Sequence, residues 1–140
     1  SPFTASTAGI LSPDVDGADF GSTGLRWDVF GQAGDFSKAV FSTLTVVTFG
    51  ATPTFDASLG NSFKITLTGN VTSSTLSTVQ AGQDIQFIIC QDATGSRTFV
   101  WPTNVKGGMT IGSTLSTCSA QAFEFDGTNA YAVSTGVANM

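Results

Sequence analysis

Histidine is absent from the 140 residues. Its absence removes the commonest general base, the commonest zinc ligand and every Ser-His or Cys-His nucleophile pair. Glutamate occurs once, at Glu124. Paired carboxylates for sugar hydrolysis would therefore have to draw on aspartates. No aspartate pair stands out by its spacing, so no catalytic residue is assigned and the chain is read as not an enzyme. Charge is scarce as well: 11% of residues are charged, against about a quarter in an ordinary domain. The cations are Arg26, Lys38, Lys64, Arg97 and Lys106, scattered along a chain of net charge −5. Phosphate recognition needs clustered Lys and Arg, so nucleic acid and anionic membrane surfaces are excluded as partners. No apolar run is long enough for a membrane span. The first residues, Ser1-Pro2-Phe3-Thr4, lack the basic and apolar regions of a signal peptide. Gly107-Gly108 lacks the Lys and helix of a phosphate loop, and no cofactor is expected. The only cysteines are Cys90 and Cys118. Two in a domain of this size make no disulfide scaffold, so free, buried thiols are expected; a bond between neighbouring strands is the alternative.

What remains is rich in strand formers. Hydrophobic residues make up 41%, with twelve Phe, while helix-favouring Glu, Lys and Arg are few. That balance favours β-structure with almost no helix. Phe63, Ile65 and Leu67 alternate with Lys64, Thr66 and Thr68, the pattern of a half-buried strand. Ile85, Phe87 and Ile89 alternate with Gln86, Ile88 and Cys90, and are expected to form a central strand. The stretch 71–79 alternates weakly. Residues 92–96 read as a hairpin loop whose flanking Asp92 and Arg97 pair across it, with 98–101 returning antiparallel until Pro102. Asp126-Gly127-Thr128-Asn129 is the strongest hairpin signal, joining strands over 119–125 and 130–134. In 40–49, Leu44 and Val46 point one way and Thr45, Val47 and Phe49 the other. Apolar groups on both faces fit either a strand buried on both sides or a subunit contact, in which Leu44, Val46, Val47 and Phe49 are the candidate interface. The spacing of strands and turns predicts an all-β fold, an antiparallel β-sandwich of jelly-roll type over 37–140.

Residues 1–36 differ. They carry too many Gly and Asp for a long helix or a continuous strand, and cannot bury their large apolar residues alone. They are read as an extended N-terminal arm, anchored on a partner by Phe3, Ile10, Phe20, Trp27 and Phe30. Asp14, Asp16 and Asp19 offer oxygens, but the distal bidentate Glu of a calcium loop is missing; a solvated turn is expected there, and no metal site. Trp101 and Tyr131 are candidate sugar contacts, since aromatic faces stack on glycans; Trp101, within a strand phrase, is more often core or interface.

Several phrases in order carry a resemblance: the Phe63 strand phrase, the turn Ala81-Gly82-Gln83, the run from Asp92 to Pro102, and the Asp126-Gly127 hairpin. Together they resemble a β-sandwich module that recurs in bacteriophage tail-fibre, tail-spike and other virion surface proteins. The resemblance spans about the C-terminal two thirds of the chain. Two positions depart from it: Ser96 stands where a second Gly is common, and Ala130 where an aromatic is common before Tyr131. The resemblance implies a homotrimer on the virion exterior, in contact with other phage structural proteins of capsid or tail. Taken as a complete chain, the sequence contains no shaft, coiled coil or tail-attachment domain. A capsid decoration (cement) trimer then stands beside a tail-fibre module. The alternative is a carbohydrate-binding module for a host surface glycan.

Overall fold

The computed structural model describes residues 42–140. The expected arm, its anchors Phe3, Ile10, Phe20, Trp27 and Phe30, the Asp14–Asp19 turn and the start of the 40–49 stretch lie outside the described residues. Eight strands form, with no helix among them: β1 (Leu44–Val47), β2 (Thr54–Asp56), β3 (Ser62–Leu67), β4 (Thr75–Ser77), β5 (Asp84–Gln91), β6 (Val105–Lys106), β7 (Cys118–Phe125) and β8 (Ala130–Ala132).

The antiparallel jelly-roll sandwich expected from the sequence does not form. The described residues form a β-solenoid of about 3 turns. β1 pairs parallel to β3, and β3 parallel to β5, with Leu44 beside Ser62 and Ser62 beside Gln86. Between these strands the chain crosses to a second face, where β2 pairs parallel to β4. Each turn takes about 20 residues, a usual length for a stacked repeat. The second face continues beyond β4: the Val71 amide donates to Thr98 O at 2.9 Å, and the Ser74 hydroxyl to Val100 O at 2.6 Å. Residues 98–101 therefore do not return beside β5, as the hairpin reading expected. They stack on the preceding turn across the core, and Gly69-Asn70 and 92–96 act as corners. Of the stretch 71–79, only Thr75–Ser77 is strand.

The parallel stack ends at β7, which runs antiparallel to β5 and carries the Asp126 hairpin into β8. The six-stranded sheet has the order β1-β3-β5-β7-β8-β6, so β5 is central, as its alternation predicts. Inward-pointing residues stack in rows: Phe63 beside Phe87, Ile65 beside Ile89. Phe55 from β2 closes the core from the other side, its ring edge-on to Phe63 and Phe87 at 5.7 and 5.0 Å. Burying each such side chain contributes about 1.5–3 kcal/mol.

The cysteines are bonded to each other, against the expectation of free thiols. They occupy directly opposed positions on β5 and β7, with Cα atoms 3.9 Å apart. The Phe125 amide donates to Gln83 O and the Gln91 amide to Thr117 O. These hydrogen-bonded positions alternate with the close, non-hydrogen-bonded pairs of an antiparallel ladder, where facing side chains approach nearest. Cys90 and Cys118 form one such pair, and Asp84 and Glu124 another.

Candidate functional site

The inner face of the large sheet is committed to the core, so chemistry has two places left: the loops at the end of the stack and the sheet's outer face. The loops are held by three glutamines that composition gave no reason to single out. Gln91 is buried; its Oε1 accepts the Arg97 amide at 2.8 Å, and its Nε2 donates to Arg97 O and Gly112 O. Gln121, also buried, accepts the Met109 amide and donates to Gly107 O and Ser134 O. Gln83 donates to Ala57 O and Asn61 Oδ1, tying successive corners together. Each amide replaces backbone partners that irregular loops lack. A sequence signal existed: Gln91 and Gln121 fall on inward positions of alternating strands, where a polar residue needs a reason.

Asp92 and Arg97 do pair across their loop, Nη2 to Oδ2 at 3.0 Å. The Arg97 guanidinium holds the Asp92 carboxyl below the usual range, helped by the amides of Gly95 and Thr94 against the opposing effect of desolvation. Backbone amides of Asn129 and Thr128 lower Asp126, and the Ser58 hydroxyl and amide lower Asp56. These three carboxylates are occupied as turn acceptors. A cavity of about 510 Å³ lies beside Arg97, Phe99, Trp101 and Met109. Its wall is part of the core: the Trp101 indole N–H donates to Met109 O at 2.8 Å, and the ring packs on Phe87, Phe99 and Phe123.

Tyr131 is placed otherwise. It stands on β8 beside Glu124, with Lys106 on its far side, and is 47% exposed. Trp101 packs against residues that point inward from the sheet, and Tyr131 projects outward. The two do not share a platform. Among the described residues no group of three or more His, Cys, Asp or Glu is placed to hold a metal ion. No helix there is long and apolar enough to cross a membrane.

The outer face carries the residues of the candidate interface. Leu44 and Val46 point out from β1 and are exposed, Val46 by 72%. Val47 and Phe49 pack against the core instead. Row by row the face reads Val46, Lys64, Ile88, Ala120, Val137, and beside it Leu44, Ser62, Gln86, Ala122. Asp84 and Glu124, directly opposed, lie at its end. This carboxylate pair, far apart in sequence, was not apparent from spacing. It sits on open sheet with no enclosing walls, which leaves it a surface charge feature rather than an acid–base pair in a cleft. A shallow hollow of about 360 Å³ lies over Ile88, Ala120 and Ala122, rimmed by residues 134–137.

No protein-family model matches the chain, and no curated protein matches it.

Proposed function

We propose that this chain is a non-catalytic structural protein of the bacteriophage exterior, a trimeric capsid decoration protein or a tail-fibre module. The observation that carries this reading is the outer sheet face. Its large apolar residues stand in water beside small ones, on a unit whose core is packed by its own aromatics. Exposed apolar area of this kind marks surfaces that bind protein. The cross-strand disulfide supports a working life outside a reducing cytosol. The charge-poor, Thr- and Ser-rich composition suits packing into an assembly, and the phrases from Phe63 to Asn129 resemble virion surface modules in sequence, though the fold is a solenoid and not the sandwich of those modules.

Immunogold labelling of intact particles tests the proposal. Label over the capsid lattice supports decoration, and label on the tail supports a fibre module. A protein absent from purified particles overturns both. Glycan recognition is the second reading, supported by the exposed Tyr131 ring beside Glu124; a glycan array that loses its signal with Tyr131→Ala is the result it requires.

A further inference from the structure

We propose that the outer face of the six-stranded sheet binds a second copy of this chain, with Lys64 of one copy set against Asp84 and Glu124 of the next. The inference deepens the structural-protein reading above and rests on it. Three observations on this face lead to it.

The first is apolar exposure without a cover. Val46, Val133 and Val137 are 72%, 59% and 56% exposed. Between them lie Ile88, Ala120 and Ala122, half-buried and mostly small, so the middle of the face is low and a facing sheet can approach closely. The second is an unfavourable charge arrangement within one copy. Asp84 and Glu124 face each other in a close pair on β5 and β7, and like charges directly opposed destabilise a ladder. The third is the position of the cations. Lys64 is level with Ile88, four residues along the strand from Asp84, which is about 13 Å at the rise of an extended chain. Lys106, at the far edge beyond Tyr131, gives its ammonium to Thr103 O at 2.7 Å. Among the described residues the one ion pair is Asp92 with Arg97, off this face.

Among the described residues the carboxylate pair thus has no counter-ion within its own copy, and Lys64 stands apart from any described carboxylate on the same face. A second copy satisfies both. Its Lys64 meets the Asp84 and Glu124 end of the first, and the apolar middle is covered between them. Among the described residues two cations, Lys64 and Lys106, offset the two carboxylates on this face, so the face itself does not repel its like as the net charge of −5 would otherwise require. A strongly basic or acidic partner would leave half of these charges unmatched. Contact of one such face with its like is self-complementary about a two-fold axis, each copy's Lys64 meeting the other's Asp84 and Glu124.

Charge exchange tests the assignment in the full-length, oxidised chain. Light scattering and sedimentation equilibrium are run on the wild type, on Lys64→Glu, and on the double variant Asp84→Lys/Glu124→Lys. All three charges are on the surface, and circular dichroism confirms that each variant keeps its fold. The wild type is expected to self-associate. Each variant alone should associate more weakly by roughly tenfold or more. Mixed in equal amounts, the two variants should regain association, because each supplies what the other lacks. Ala120→Arg, which fills the low centre of the face, should dissociate the wild-type assembly. If Lys64→Glu and Ala120→Arg both keep the wild-type mass, or if the mixture fails to recover, this face is not the contact, while the structural-protein reading stands on its labelling experiment. A wild type that remains monomeric overturns this assignment and the trimer together.

Discussion

Gln91 has 4% of its surface exposed and makes three hydrogen bonds to loop backbone, and Gln121 has 5% and makes three. Removing either amide leaves buried or part-buried loop backbone groups without their side-chain partner. Gln91→Ala or Gln121→Ala is therefore expected to destabilise the fold by about 2–4 kcal/mol, read as a lower urea midpoint at unchanged slope. A neutral surface substitution such as Gln80→Ala serves as the control. The turn carboxylates act in a different range. Asp56, Asp92 and Asp126 are held below their ordinary values in the folded chain. A depressed carboxyl stabilises the fold fully above its unfolded value, near 4, and loses that contribution as pH falls through the folded value. The urea midpoint should hold steady from neutral pH to about 5 and decline below about 4. Asp126→Asn should flatten part of that decline. A midpoint that rises on acidification contradicts the assignment.

At the scale of elements, the disulfide joins β5, the last strand of the parallel β1-β3-β5 stack, to β7, and closes a segment with a sequence separation of 28. Constraining a loop of that length in the unfolded chain is worth about 3–4 kcal/mol. Cys90→Ser/Cys118→Ser, or reduction of the native protein, should lower stability by that order, measured by denaturation with and without reductant. The strands themselves were largely legible. The alternation of Phe63, Ile65 and Leu67 and of Ile85, Phe87 and Ile89 marks β3 and β5, and Asp126 to Asn129 marks the hairpin. Their direction was not, because parallel and antiparallel strands share a period of two. Gly and Asn punctuation looks alike at a hairpin and at a solenoid corner. The short strands of the second face, Thr54–Asp56 and Thr75–Ser77, were the missing clue: a return to the same sheet needs no intervening strand on another. The same limit hid the disulfide and the pairing of Asp84 with Glu124. Both are consequences of register between β5 and β7, which depends on the whole stack. That Leu44 and Val46 share a face followed from alternation alone; which of the two apolar faces points outward did not.

At the scale of the molecule, residues 42–140 contain the whole described core, from Phe55 to Ala130. A chain starting at residue 37 is accordingly expected to keep its disulfide and its β-rich circular dichroism. In co-sedimentation with particles stripped of this protein, it should fail to attach if residues 1–36 serve as the proposed arm. Undiminished attachment rules the arm out. The stack itself is also directional. β7 turns against β5 and stops the parallel ladder at that end, whereas the edge of β1 away from β3 has no strand beside it among the described residues. Each turn contacts chiefly the turns next to it, so the energy of adding one is local. Length is thus an adjustable quantity in this architecture. Duplicating residues 62–85 in tandem inserts one further turn, in the register of Ser62 with Gln86, upstream of the terminating hairpin. It should widen the sheet by one strand spacing, about 4.8 Å, leaving β7, its disulfide and the loops around Gln91 and Gln121 where they are. A lineage that needed a longer or shorter spacer would have only to copy or delete a turn.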